Sequence, residues 1–160
     1  TTLYQFAQGK ATWKDLAWMA TPFVSAGIMR AADGVKDMAR MARETQLSSG
    51  YAADVWKNVT LPKGTIIYQG APGASGFFTT HRALTKSSYS IDAIWNGLQV
   101  QEHLELGYRK TLVAYELLDD TTAAFGIARA NTRSGTGGYG QIFIDRDKAQ
   151  LRELFSVQLN

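Results

Sequence analysis

Apolar residues recur along this chain in two rhythms, and the change comes near residue 58. Before it the spacing is helical. Trp13, Leu16, Ala17 and Ala20 fall on one face of a helix that Pro22 stops or kinks. A second helix is predicted from about Asp33 to Gln46. Its apolar face carries Val35, Met38, Met41, Ala42 and Thr45, while Lys36, Asp37, Arg40, Arg43 and Glu44 lie mostly opposite. Leu47-Ser48-Ser49-Gly50 then reads as a stop.

After residue 58 the pattern shortens to strands between turns. Leu61-Pro62-Lys63-Gly64 is a turn, followed by the β-branched and aromatic run Thr65-Ile66-Ile67-Tyr68. Gly70 to Gly76 reads as a loop and Phe77 to Thr80 as a short strand. Ser90 is placed to cap a helix with Ile91, Ile94, Trp95 and Leu98 inward, weakened in its middle by Asn96-Gly97. Residues 108 to 118 alternate, with Thr111, Val113, Tyr115 and Leu117 on one face. Residues 131 to 140 form a polar, Gly-rich loop, Tyr139 to Ile144 a strand, and 153 to 159 the last one. The fold class is therefore α+β: a helical front part, residues 1–57, and a mainly antiparallel sheet over 58–160.

Composition narrows the chemistry. The chain has 160 residues, of which 45% are hydrophobic, enough for a folded core of one domain. No cysteine is present, which removes disulfide scaffolds, thiolate metal sites and cysteine nucleophiles. With two histidines, His81 and His103, no metal site is expected. The net charge of +3 comes without any basic run, so nucleic acid is not the expected partner, and an acidic protein is. The most apolar stretch, Leu16 to Met29, is broken by Pro22 and too short to span a membrane. No signal peptide is read, and the start at Thr1-Thr2 without methionine suggests a piece of a longer protein.

Three segments of the sheet region could carry chemistry: Ile67-Tyr68-Gln69-Gly70, Gly76-Phe77-Phe78-Thr79-Thr80, and Gly135-Thr136-Gly137-Gly138-Tyr139-Gly140-Gln141-Ile142-Phe143-Ile144. In the last, a period of two puts Tyr139, Gln141 and Phe143 on one face. An amide between rings suits a flat polar ligand, and the preceding glycines would let backbone approach it. Each segment alone has a structural explanation: an edge tyrosine, a core Phe-Phe pair, a solvated glutamine.

In this order, with Leu61-Pro62-Lys63-Gly64-Thr65-Ile66 leading in, the segments resemble bacterial toxins of the ADP-ribosyltransferase fold. They are most similar to the tips of contact-dependent inhibition and Rhs-type polymorphic toxins, and to NAD glycohydrolases of the tuberculosis necrotizing toxin type. The resemblance covers residues 58 to 159 and implies an ADP-ribosyltransferase-like split β-sheet. In that superfamily a first-strand residue, commonly arginine or histidine, holds the NAD phosphates or ribose. A second strand carries an aromatic and small hydroxyl residues, and a third supplies a glutamate or glutamine beside the nicotinamide ribose. Carried over, Gln69 stands first, Phe78, Thr79 and Thr80 second, and Gln141 third. The resemblance thus implies Gln141 and Thr80 as catalytic residues. It implies Tyr68, Gln69, Gly70, Phe78, Thr79, Arg82, Arg133 and Tyr139 as NAD contacts, with NAD as substrate and no metal. Gln69 replaces the usual cation, so phosphate charge falls to Arg82, Arg129 or Arg133. Gln141 replaces the usual acid, which favours hydrolysis over transfer to a protein acceptor.

Such a domain is delivered as part of a larger secreted or cell-surface bacterial protein, acts in the target cell cytoplasm, and needs a cognate immunity protein, here expected to be acidic. Two rival readings stand beside this one. A metal-independent RNase toxin would use His81, Lys86, His103 and Arg109. A non-enzymatic delivery or interaction module would have residues 12 to 46 as its active part.

Overall fold

The computed structural model describes residues 37–160. The helix predicted over Trp13 to Ala20 and the first residues of the next one lie outside them. Helix α1, Met38–Ser48, starts where the Asp37 side chain accepts from the Arg40 N–H at 3.0 Å. It ends at the expected stop, with Gly50 in the left-handed region at φ 90°.

Seven strands follow: β1 Trp56–Leu61, β2 Ile66–Ala71, β3 Phe77–Thr79, β4 Thr111–Leu117, β5 Thr121–Ile127, β6 Gly140–Ile144 and β7 Leu151–Gln158. Two short helices, α2 His81–Lys86 and α3 Ile91–Gly97, lie between β3 and β4. All pairings are antiparallel, in the order β1-β5-β6-β3-β2-β4-β7. The class is α+β, as the sequence pattern predicts. Strands β1 and β5 and helix α2 were not expected from it. Strand β2 runs two residues into the predicted loop, and β3 stops before Thr80. The composition shift at residue 58 falls inside β1.

From β1 to β4 both faces of the sheet are covered, by different means, while β7 is largely exposed. One face holds Val59, Leu61, Ile67, Phe78, Leu117, Phe125, Ile142 and Ile144 in a single cluster. Its members come from β1 at one edge to β4 near the other, so the sheet curls over this face and forms its own core. Helices cover the opposite face. Met38 and Ala42 of α1 pack on Trp56, Ala124 and Phe143. Leu84, Ile94, Trp95 and Leu98 of α2, α3 and the turn after it pack on Tyr68, Leu112 and Ala114. The central strands β6, β3 and β2 lie between these two covers.

Candidate functional site

A cleft of about 520 Å³ opens over those central strands. Tyr68 and Gly70 of β2, Phe77 and Thr79 of β3 and Gln141 of β6 lie along its floor. Register puts them on one face: Tyr68 pairs with Thr79, Thr79 with Gln141, and Phe77 with Phe143. One wall is the end of α1 with Gln46, Ser49 and Tyr51. The other comes from Trp95, Gln99, His103 and Arg109.

Gln141 is oriented from below. Its Nε2 donates to Oδ2 of Asp54 at 2.7 Å, while its Oε1 accepts nothing from the described residues. Asp54 is itself buried, at 6% exposure, and collects three further donors. Thr79 donates from Oγ1 to the Gly140 carbonyl at 2.8 Å, tying β3 to β6 beside Gln141. Burial, and then the neighbouring Tyr89, pushes the Tyr68 phenol above its ordinary pKa, so this tyrosine is neutral at physiological pH. Gly70 is required by close approach: a Cβ there would fall 2.8 Å from Cδ of Arg109 and 2.9 Å from Cη2 of Trp95. Arg109 donates from Nε to the Pro72 carbonyl, and Trp95 from Nε1 to the Arg109 carbonyl at 2.8 Å. The cleft therefore holds a planar amide acceptor, rings and one guanidinium, a set suited to a flat polar ligand carrying negative charge.

The family described as the Rhs1 C-terminal toxin domain matches residues 34–146. This chain belongs to that family. Among solved structures, it is similar to the one titled "Rhs1-CT in complex with cognate immunity protein RhsI1", at 31% identity and a TM-score of 0.70. The match covers 79% of this chain and 99% of the other. No curated protein matches.

Within this toxin domain the sequence-predicted residues divide. Tyr68, Gly70, Thr79 and Gln141 come together on the cleft face. Gln69 and Phe78 border the cleft but turn their side chains to the opposite face. The Phe78 ring, 3% exposed, lies in the cluster with Ile142 and Ile144, edge-on to Tyr115. Phe77 shares the Gln141 face instead, because neighbours on a strand point oppositely. Gln69 donates to the carbonyls of Ser75 and Phe77 at 2.8 and 2.7 Å and accepts from Arg146. Its amide braces the loop after β2, and the Arg146 guanidinium stacks over Phe78 and Tyr115.

Other expectations need correction. Thr80 caps α2, its Oγ1 accepting from Ala83 N–H at 3.2 Å, and does not line the cleft. Arg82 lies on α2 outside it, and Arg133 lines an adjoining groove with Asn96 and Thr136 that shares Val100, Gln101 and Tyr108 with the cleft. Tyr139 packs its ring against Gly97, under Lys86, and is also outside. The glycine loop docks on protein backbone: Gly137 N–H donates to Asn96 O at 3.0 Å, and Gly138 N–H to Ala128 O at 2.8 Å.

Of the RNase candidates, His103 and Arg109 line the cleft, whereas His81 on α2 lies against Tyr68, the two rings tilted with centroids 6.0 Å apart. Nδ1 of His103 accepts from the N–H groups of Glu105 and Leu106. Among the described residues no group of acidic or histidine side chains could hold a metal ion, and no helix is long and apolar enough to cross a membrane. Sequence reasoning missed Asp54, Gln46 and Gln99. Gln46 carried a signal, since it follows Met38 and Ala42 at intervals of four on the buried face of α1.

Proposed function

We propose that this Rhs-type toxin domain consumes NAD by hydrolysing its nicotinamide–ribose bond, on a sheet of the ADP-ribosyltransferase type. The observation that carries the reading is convergence: two segments close in sequence and a third far along the chain lie on adjacent strands, β2, β3 and β6, and open on one cleft with Gln141 at its floor. Its volume is that of a small-molecule site.

The reaction asks little acid–base chemistry of the protein. The C1′–N bond breaks with its electron pair moving to the pyridinium nitrogen, which leaves as neutral nicotinamide. Positive charge develops on the ribose, as in glycoside cleavage. Water adds at C1′ and releases its proton to solvent, giving ADP-ribose. Gln141 Oε1 accepts from a ribose hydroxyl and sets the negative end of its dipole toward that charge. Phe77 and Tyr68 flank the nicotinamide, and Arg109 takes over the phosphate charge assigned from sequence to Arg82, Arg129 or Arg133. Without a carboxylate at Gln141 to deprotonate a protein acceptor, water is the easier nucleophile.

On this reading the domain reaches the target cell cytoplasm as part of a larger delivered protein. A cognate immunity protein, such as the one bound to the similar Rhs1-CT, neutralises it, and the +3 charge favours an acidic one.

The test is incubation of the purified chain with NAD and with total RNA. Nicotinamide and ADP-ribose should appear while RNA stays intact. Gln141→Ala should slow the reaction about a hundredfold, the worth of one interaction of about 3 kcal/mol made in the transition state. Full NAD consumption by folded Gln141→Ala removes the site. RNA degradation with NAD untouched moves the function to His103 and Arg109.

A further inference from the structure

Asp54 sits in the loop between α1 and β1, 87 residues from Gln141 in sequence. Its Oδ1 accepts from the backbone N–H groups of Arg129 and Ala130, both at 2.7 Å. Its Oδ2 accepts from Nε2 of Gln46 and Nε2 of Gln141, again both at 2.7 Å. A carboxylate can only accept. Gln46 is locked in turn, because its Oε1 accepts from Asp54 N–H at 2.8 Å and Trp56 Nε1 at 3.0 Å. The Gln141 amide is left with one orientation, NH2 to Asp54 and carbonyl oxygen to the cleft.

We propose that Asp54 is the positioning residue that fixes which end of the Gln141 amide faces the cleft. The inference rests on the NAD reading for its consequence, though not for its geometry. An amide has nearly the same shape either way round. Turned over, Gln141 would present N–H donors to a ribose that is becoming positive, and the interaction would change sign. A neutral acceptor in a cleft needs something beneath it that rejects the reversed orientation, and a buried carboxylate does so.

Two substitutions and their combination test this. In Asp54→Asn the new side chain can keep its oxygen on the Arg129 and Ala130 N–H groups, which turns its NH2 toward Gln141. Gln141 must then flip or lose its partner. Expected is a loss of kcat for NAD of about a hundredfold, the size typical of a misplaced catalytic group, with KM little changed. Gln141→Glu alone sets two carboxylates against each other and should also be impaired. The combination exchanges acid and amide, so that an NH2 again meets a carboxylate, and it should recover most of the activity that Asp54→Asn loses. Gln46 loses its acceptor equally in Asp54→Asn and in the double variant, so the recovery reports on Gln141 alone.

Wild-type kcat in Asp54→Asn, or a double variant as slow as the product of the single losses, overturns the proposal. A second readout does not depend on NAD. The Gln141 side-chain amide protons, assigned by their disappearance in Gln141→Glu, should exchange slowly with water in the wild-type protein and fast in Asp54→Asn. Fast exchange in the wild type overturns the positioning role even where Asp54→Asn fails to fold. Slow exchange in a protein that leaves NAD intact instead supports the positioning and rejects the functional reading.

Discussion

Gly97 shows how one missing side chain sets the geometry around the site. A Cβ there would fall 2.3 Å from Cδ2 and 2.5 Å from Cε2 of Tyr139, so the ring lies directly on the helix backbone. Alanine is the better helix former by about 1 kcal/mol. The clash outweighs that gain, and Gly97→Ala should destabilise the fold by about 1–3 kcal/mol in chemical denaturation. Unchanged or raised stability would mean that Tyr139 moves freely. From sequence, Asn96-Gly97 reads only as a weak point in a helix, because the tyrosine that needs the space is far along the chain. Gln141 was legible as a candidate and Asp54 was not, since a lone aspartate in Ala52-Ala53-Asp54-Val55 has no pattern to mark it. The bond between them also gives Gln141 a share in the stability of the fold. Gln141→Ala removes one donor from a buried carboxylate and should cost about 1 kcal/mol in denaturation. No change would mean that water replaces the donor.

Among the elements, β3 was legible in its place and in its alternation, though not in its parity. A period of two says that Phe77 and Phe78 face opposite sides; it cannot say which side is the cleft. That depends on where α1 and α3 lie, and they cover the Phe77 face. Phe78→Ala should therefore cost about 3–5 kcal/mol of stability, as expected for a fully packed ring. Phe77→Ala should cost less and should weaken NAD binding, measured as a raised KM. The reverse ranking in thermal unfolding and kinetics would restore Phe78 to the cleft. Strand β5 escaped the pattern for a related reason. Its centre is Ala123-Ala124, which interrupts the β-branched pair Thr121-Thr122 before Phe125, and Ala124 is fully buried beneath Met38 and Ala42. Small residues there allow a helix to sit close on the sheet, and they weaken the local strand signal.

For the whole molecule, the change of composition at residue 58 marks a change of secondary structure within a packed body. Helix α1 shares a cluster with Trp56, Ala124 and Phe143, and its Gln46 bonds to Asp54 and Trp56 in the cleft wall. Ala124 and Phe143 are distant from α1 in sequence, and composition measured along the chain does not register them. A chain beginning at residue 58 would lose Met38, Ala42, Asp54 and Trp56 together. Ala124 and Phe143 would be uncovered, and the Arg129 and Ala130 N–H groups would lose their acceptor. Such a chain should lack a cooperative thermal transition and be cut readily within β5 and β6 in limited proteolysis. Deleting residues 1 to 30 instead leaves every one of those contacts in place, so NAD cleavage should persist. Cooperative unfolding of the chain from residue 58 at the wild-type temperature would show that the sheet stands without α1. Loss of NAD cleavage from a folded chain lacking residues 1 to 30 would put part of the catalytic apparatus in the front segment.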